Sequence, residues 1–483
     1  MSDFVEAKVP GELPPGLSAE QRGQLEELER RWAGRVQAPL APALRAPDAG
    51  AALDCDVLLA GGGLSLLHAV ALAAQGVRVA VADPRGVGKG HREWNASLPE
   101  LRALEPLLGS AALEPLLIAR YQRGLVRWHG GPARYVTGVL DAAVDAQGLL
   151  DLLRARALAL GVRLLDGVSV GAVASGPHGL SAQMGSETFT ARLLLDGRGA
   201  ASPFARWDLV CPTVGGVLRG LAVGTASDEV DPATGEILVT VEGAQSGLQP
   251  IWEGFPGRAG EFTAYLFEYT EPGRLGPRPL TDLFARFFAT LPRYKRGEAE
   301  LLRPAFGFIP AYTRLRPRPT APQDRVLLVG DAAGRHSPLT LCGFGCALRS
   351  HGPVSARLVE LLERDQLDRR SLAETWRGES KSLSVQGALA LMMMERGGLA
   401  TATDPQAINA LLDAAFGALA AQGDEAFRDF LQDRATPRQV LRMLQGTARA
   451  LPKVYGLARR NLTSRELVTF GYRLAAFAAG ARA

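Results

Sequence analysis

The apolar and polar positions divide this chain into three stretches. Residues 1–52 are rich in Pro, Ala, Glu and Arg and hold one helical pattern, expected from about Ala19 to Val36 with Ser18 as its N-cap. From Asp54 to about Leu362, short β-rich runs alternate with helical patterns, the mark of an α/β architecture. Beyond that the spacing is helical to the end, and Thr436 before Pro437 marks the start of one of the last helices. No internal repeat is visible.

The first β-rich run is the most informative. Cys55-Asp56-Val57-Leu58-Leu59-Ala60 reads as a buried parallel strand, followed at once by Gly61-Gly62-Gly63 and an apolar helix from Leu64 to about Gln75. A second strand, Val77 to Ala82, ends at Asp83. Strand, glycine turn, helix, strand and acid together form a Rossmann unit: the glycines let backbone approach a pyrophosphate at the helix N-terminus, and Asp83 is placed to accept from an adenosine ribose. The third glycine position holds Leu66, which alters helix–strand packing without removing the phosphate site. The uncharged run Val57–Val77 has the length of a membrane span, but its central glycines break a helix.

Composition narrows the class. Hydrophobic residues make up 47% and charged residues 22% of 483, the balance of a globular protein, which excludes a disordered, collagen-like or polytopic membrane chain. A net charge of +4, from 54 basic and 50 acidic residues, gives no reason to expect a nucleic-acid partner. Cys55, Cys211, Cys342 and Cys346 form neither a disulfide framework nor a zinc site, so a reducing cytosol is expected, and Met1–Glu6 lacks the features of a signal peptide. His91, His336 and His351 show no metal spacing, and packing is the expected role of Cys342, Cys346 and Met392–Met394.

A second fingerprint lies far downstream. Arg325–Val329 reads as a strand ending in Gly330-Asp331-Ala332-Ala333, followed by Ser337-Pro338, Gly343, Gly345 and a helix from about Ala347. In FAD proteins of the glutathione-reductase type such an Asp lies on the ribitol chain, and the helix points its N-terminus at the flavin and pyrophosphate. A third strand, Leu193–Leu195, leads to Asp196-Gly197-Arg198-Gly199, another loop of that class. The combination predicts FAD rather than NAD alone. The cofactor-binding set expected is Gly61, Gly62, Gly63, Asp83, Arg92, Asp196, Gly330, Asp331, Gly343 and Gly345.

Several stretches carry a more specific resemblance: His91-Arg92-Glu93-Trp94-Asn95, Val210–Gly215, Asp231–Leu238, Ile251-Trp252-Glu253, Phe255-Pro256-Gly257, Tyr265–Thr270 and Arg335–Gly345. Over roughly residues 54–360 the chain resembles the FAD-dependent lycopene cyclases, in their bacterial CruA/CruP-like branch. The resemblance implies proton-initiated cyclisation of lycopene end groups to γ- or β-carotene-type rings without net redox change, with reduced FAD stabilising a carbocation and NAD(P)H as reductant. It implies a buried, protonated carboxyl as acid. Glu268 is the first choice, in a segment similar to the Phe-Leu-Glu-Glu-Thr motif of plant lycopene cyclases, and Glu93 the second. The structural alternatives are an exposed strand glutamate for Glu268 and a salt bridge with Arg92 or a loop cap for Glu93.

The expected fold is a Rossmann-type FAD-binding α/β fold, glutathione-reductase/hydroxylase-like, with an antiparallel substrate sheet and a helical C-terminal region. The expected division is an N-terminal extension (1–52), a discontinuous FAD-binding domain (53–90, 135–200 and 322–362), a substrate domain (91–134 and 201–321) and C-terminal helices (363–483). A lycopene-like carotenoid substrate implies contact with a bilayer. From Thr436 to Ala483 nine Lys/Arg stand against one acid, Glu466, interleaved with apolar residues, which suits peripheral attachment at the inner face of the membrane or a solvated helical face. Asp196-Gly197 followed by Ser202 and Arg206 loosely resembles a hydroxylase loop, so the alternatives are an FAD-dependent monooxygenase or polyprenyl reductase on a lipophilic substrate, and a non-catalytic FAD- and carotenoid-binding protein.

Overall fold

The computed structural model describes residues 17–33, 44–90, 93–316, 321–376, 383–394 and 404–479. Strand β1 (Cys55–Ala60) is apolar on both faces and is therefore central: it pairs in parallel with β2 (Val79–Asp83) on one side and with β11 (Glu187–Asp196) on the other. The sheet order is β8-β2-β1-β11-β10-β9, where β8 is Arg163–Asp166, β9 Val170–Gly176 and β10 Gly179–Met184. Strand β17 (Val326–Leu328) lies parallel to the last residues of β11. The ends of β1, β11 and β17 therefore open on one edge of the sheet.

The second sheet has the order β16-β12-β15-β14-β13-β5-β6. Its strands are β5 (Arg123–Arg127), β6 (Arg134–Val136), β12 (Leu209–Leu221), β13 (Thr234–Val239), β14 (Ile251–Pro256), β15 (Phe262–Phe267) and β16 (Gly297–Ala311), antiparallel except where β13 meets β5. A small sheet of β3 (Trp94–Ala96), β4 (Leu117–Arg120) and β7 (Ala142–Val144) completes the strands.

The period-two alternation of β14 and β15 assigns their side chains to two different cores. Trp252, Phe262, Ala264 and Leu266 face helix α4 (Pro279–Tyr294), together with Leu25 of α1 (Ala19–Ala33). Ile251, Phe255, Tyr265, Phe267 and Tyr269 face the C-terminal helices. The N-terminal helix is tied to this body by Glu29, whose Oε1 accepts from the amides of Leu280 and Thr281 at 2.9 Å and caps the positive end of α4. Its own start is closed by Ser18 and Gln21, each side chain accepting from the other's amide.

Helix α2 (Leu66–Ala73) is buried along its length, and Leu66 packs into the nucleotide-sheet core. With α3 (Ala146–Ala159) and α5 (Gly343–Glu363) it covers one face of that sheet. Helix α5 begins four residues before the expected Ala347. The C-terminal region is helical: α6 (Leu383–Met392), α7 (Ala407–Ala420), α8 (Asp424–Leu431), α9 (Pro437–Ala450), α10 (Val454–Asn461) and α11 (Ser464–Ala478). Thr436 caps α9 in a reciprocal box with Gln439, as its position before Pro437 suggests. Among the described residues no helix is long and apolar enough to cross a membrane.

Candidate functional site

The loop leaving β1 meets the loop leaving β11 backbone to backbone. Gly61 adopts φ +101°, and a Cβ there would lie 2.8 Å from the carbonyl oxygen of Gly197, so glycine is required both for conformation and for space. Gly62 sits against the chain beyond β2, where a Cβ would come within 2.8 Å of Val87 Cα. Gly63, by contrast, faces open space. The amides of Gly63, Leu64 and Ser65 precede the first turn of α2 and have no acceptor among the described residues. Free amides, a helix N-terminus and an uncovered glycine at the carboxyl ends of parallel strands make an anion cradle.

The expected acids are used differently from their sequence reading. Asp83 is buried, and its carboxylate accepts from the amides of Gly62 and Arg85, both at 2.8 Å, which locks the glycine loop to the chain leaving β2. Asp196 is fully buried: Arg198 binds it through two nitrogens, at 3.0 and 2.7 Å, and Ser202 Oγ donates to it at 2.8 Å. Its side chain is an internal strut of the loop and does not reach a ligand. This corrects its expected place in the cofactor-contacting set, and Ser202 belongs to the same strut.

Asp331 does stand open. Its side chain keeps 40% exposure, beside Gly199 and directly against Gly343, whose missing Cβ would be 3.0 Å from Asp331 Oδ1. Gly330 adopts φ +56° at the turn out of β17. Gly345 makes room for an ion pair instead: a Cβ there would meet Arg349 Nη1 at 3.1 Å and Glu100 Oε1 at 3.2 Å. Arg349 joins Glu100 to Asp433 and so clamps the start of α5 to the C-terminal helices. Burial lifts the Asp433 carboxyl to about 6 against the pull of Arg349. Arg92, with His91, lies outside the described residues.

Glu268 is not in this site. It follows β15 on the face that looks toward α4, where it pairs with Arg286, which in turn approaches Glu242 at 3.7 Å. Its neighbours Phe267 and Tyr269 point the other way, into the core shared with the C-terminal helices. Glu268 is one member of a buried charge cluster, and burial raises its carboxyl above the ordinary range against the pull of Arg286. Replacing Glu268 with Gln is expected to lower unfolding stability by about 3–5 kcal/mol, because a buried pair loses one of its charges, while FAD content and turnover stay within about threefold of wild type. Denaturant unfolding and a turnover assay on one preparation check both.

Glu93 is at the rim. Its amide donates to Tyr265 Oη at 3.2 Å, and its carboxylate lies 3.6 Å from Arg303, which is held more closely by Glu261 at 2.9 Å. Burial raises the Glu93 carboxyl above its ordinary range, opposed by Arg303. The following Trp94 stacks on Phe344 in the first turn of α5, with ring centroids 5.1 Å apart.

The carboxyl that stands alone is Glu253. It lies on β14 between Ile251 and Phe255, directly across from Tyr265 of β15, on the face toward the C-terminal helices. No cation or hydrogen-bond donor among the described residues is paired with it, and burial alone pushes it up to about 8. It nevertheless keeps some exposure. Its charge would be felt at Tyr269 and Cys342. Tyr269 donates to the carbonyl of Leu339 in the loop that leads into α5. Glu253 thus stands opposite Tyr265 and within electrostatic reach of Cys342, the residue before α5. The tripeptide Ile251-Trp252-Glu253 carries part of the sequence resemblance, yet only the alternation of the paired strands shows that its glutamate is on the face toward the C-terminal helices.

His336 Nδ1 lies 3.9 Å from Asp331, whereas His68 and His351 are structural in their contacts. His68 Nδ1 lies 3.0 Å from Ser355 Oγ, and burial between α2 and α5 depresses its pKa to about 3. His351 bonds to the carbonyl of Leu348 at 3.0 Å. No group of residues able to hold a metal occurs among the described residues. Met392, Met393 and Met394 are core residues beside Val385 and Leu389.

No protein-family model and no curated protein sequence matches the chain. Among solved structures it is similar to a geranylgeranyl bacteriochlorophyll reductase-like protein from Thermoplasma acidophilum, with TM-score 0.55 and 16% identity over 83% of this chain and 99% of that one. It is also similar to the halogenase PltM, with TM-score 0.56 and 13% identity over 87% and 94%. A PltM variant solved in complex with FAD gives TM-score 0.55 at 11% identity, over 88% and 96%. At such identities the likeness shows the fold: a mixed α/β architecture shared with FAD-dependent enzymes, carrying a helical C-terminal region. The residues present fit FAD. The open glycine cradle with its free amides suits the pyrophosphate, and Asp331 beside Gly343 suits the hydroxylated chain between pyrophosphate and flavin.

Proposed function

We propose that this chain is an FAD-dependent enzyme acting on a lipophilic isoprenoid, in which Glu253 delivers a proton to a carbon–carbon double bond. The observation that carries the reading is the isolation of Glu253: a carboxyl with no partner among the described residues, held protonated near neutral pH by burial, opposite Tyr265 and within electrostatic reach of Cys342. An alkene is a poor proton acceptor, so its protonation needs an acid already desolvated and aimed. Phe255, Phe267 and Ile251 supply an apolar wall, which excludes water from the cation that such a step leaves behind. Tyr265, fixed by the Glu93 amide, lines the same face. Bound in the cradle, reduced FAD would supply either a hydride or a stabilising negative charge, with NAD(P)H as the reductant that maintains it.

Two products follow from one proton transfer. The likeness of fold to a protein described as geranylgeranyl bacteriochlorophyll reductase-like favours reduction of the double bond. The motifs around His91–Asn95 and Arg335–Gly345 favour cyclisation of a lycopene end group. Incubating the reduced holoprotein with lycopene and with geranylgeranylated lipids, followed by mass analysis, tests the reading. A product heavier by two hydrogens marks the reductase and a ring product of unchanged mass the cyclase. An added oxygen, or bound pigment without turnover, overturns the proposal.

The raised Glu253 carboxyl also makes a prediction that needs no substrate. The folded protein holds a proton at Glu253 up to about pH 8, whereas an ordinary glutamate releases it near 4.5. Folding therefore takes up a proton in that window, and the stability this group contributes is complete below about 4.5 and lost as pH rises through 8. The melting temperature of wild type is expected to fall relative to that of Glu253→Gln between pH 5 and 8.5. Parallel melting curves across that range would show a Glu253 of ordinary acidity instead.

A further inference from the structure

Helix α11 is apolar on two opposite faces. Leu467, Phe470, Leu474 and Phe477 pack onto the core shared with Glu253. On the other side Val468 and Tyr472, one helical turn apart, are 72% and 69% exposed, and the stripe continues through the exposed Ala475 and Ala479. The neighbouring α10 adds Tyr455, 73% exposed. These are the three most exposed large apolar side chains of the described C-terminal region, and a helix meeting only water has no reason to present them together.

The exposed charges carried by these two helices have one sign. Arg459, Arg460 and Arg465 are exposed and make no ion pair among the described residues. The single acid between 437 and 479, Glu466, is buried and pairs with Arg316 at 3.0 Å, so it does not offset them. We propose that the outer face of α10 and α11, with Tyr455, Val468 and Tyr472 as its apolar wedge and Arg459, Arg460 and Arg465 as its rim, docks on an anionic lipid bilayer. A second copy of this chain would bring the same basic rim against itself, whereas a bilayer bearing anionic headgroups over an acyl interior is complementary to both parts. The inner face of α11 belongs to the core that Glu253 faces, so docking sets the lipid next to the helices that cover the proposed site.

Co-sedimentation of the full chain with vesicles of phosphatidylcholine containing phosphatidylglycerol tests this. Wild type is expected to bind these at least tenfold better than pure phosphatidylcholine vesicles. The triple variant Tyr455→Ser, Val468→Ser, Tyr472→Ser is expected to lose at least tenfold, as is Arg459→Glu with Arg460→Glu, with melting temperature and FAD content unchanged in both. Binding that is equal in wild type and both variants overturns the proposal. So does a wild-type dimer that the triple variant dissociates while vesicle binding persists. Vesicle binding is read without turnover, so its failure is separate from failure of the proposed reaction.

Discussion

Exchanging Glu253 for Gln is expected to lower turnover by about 10³-fold, the contribution of a positioned general acid, while FAD remains bound. Gln keeps the shape of the side chain and removes only the transferable proton. Because burial alone raises this carboxyl to about 8, wild-type turnover is expected to hold from neutral pH to about 8 and then to fall roughly tenfold per pH unit as the acid is lost. Single-turnover kinetics with flavin absorbance recorded on the same sample checks both statements. The comparison with Glu268→Gln is direct. Glu253 on β14 and Glu268 just beyond β15 are expected to differ in effect by more than two orders of magnitude, because one has no charged partner among the described residues and the other pairs with Arg286.

That difference also shows what the sequence can and cannot say. The nucleotide unit was legible because its parts are contiguous: strand, glycines, helix and acid follow one another within 55–83, and the observed β1, α2 and β2 fall inside the expected spans. The capped starts of α1 and α9 were legible for the same local reason. The acid was not. In a strand buried on both sides, apolar residues occupy both faces, so the pattern around Tyr265–Thr270 does not reveal which side looks at the cofactor loops. Which face Glu268 occupies is a matter of one residue's register, which only the packing of α4 against one face decides. Asp196 misled differently. A strand-end acid before a glycine suggests a ligand contact, but Arg198 two residues later satisfies it completely.

The second large effect is expected in the glycine loop, where adjacent residues fail in different ways. Gly63→Val adds a side chain into space that nothing in the protein fills. It is expected to leave the melting temperature of the apoprotein unchanged and to weaken FAD binding about 100-fold, by blocking the approach of the pyrophosphate to free amides. Gly61→Ala adds only a methyl, yet places it 2.8 Å from the Gly197 carbonyl oxygen on backbone with φ +101°. That conformation costs an alanine about 1–3 kcal/mol, so the apoprotein itself is expected to lose stability. Apoprotein melting and FAD titration on both variants separate a ligand cradle from a merely tight turn: equal FAD affinity in Gly63→Val and wild type would contradict the cradle.

The most direct measurement of the central claim is the fate of solvent hydrogen. Turnover of an isoprenoid substrate by the reduced holoprotein in D₂O should give a product carrying deuterium on carbon at the former double bond, and Glu253→Gln should form almost none of it. A product formed at the wild-type rate by Glu253→Gln, or one from either protein with no carbon-bound deuterium, would contradict the account.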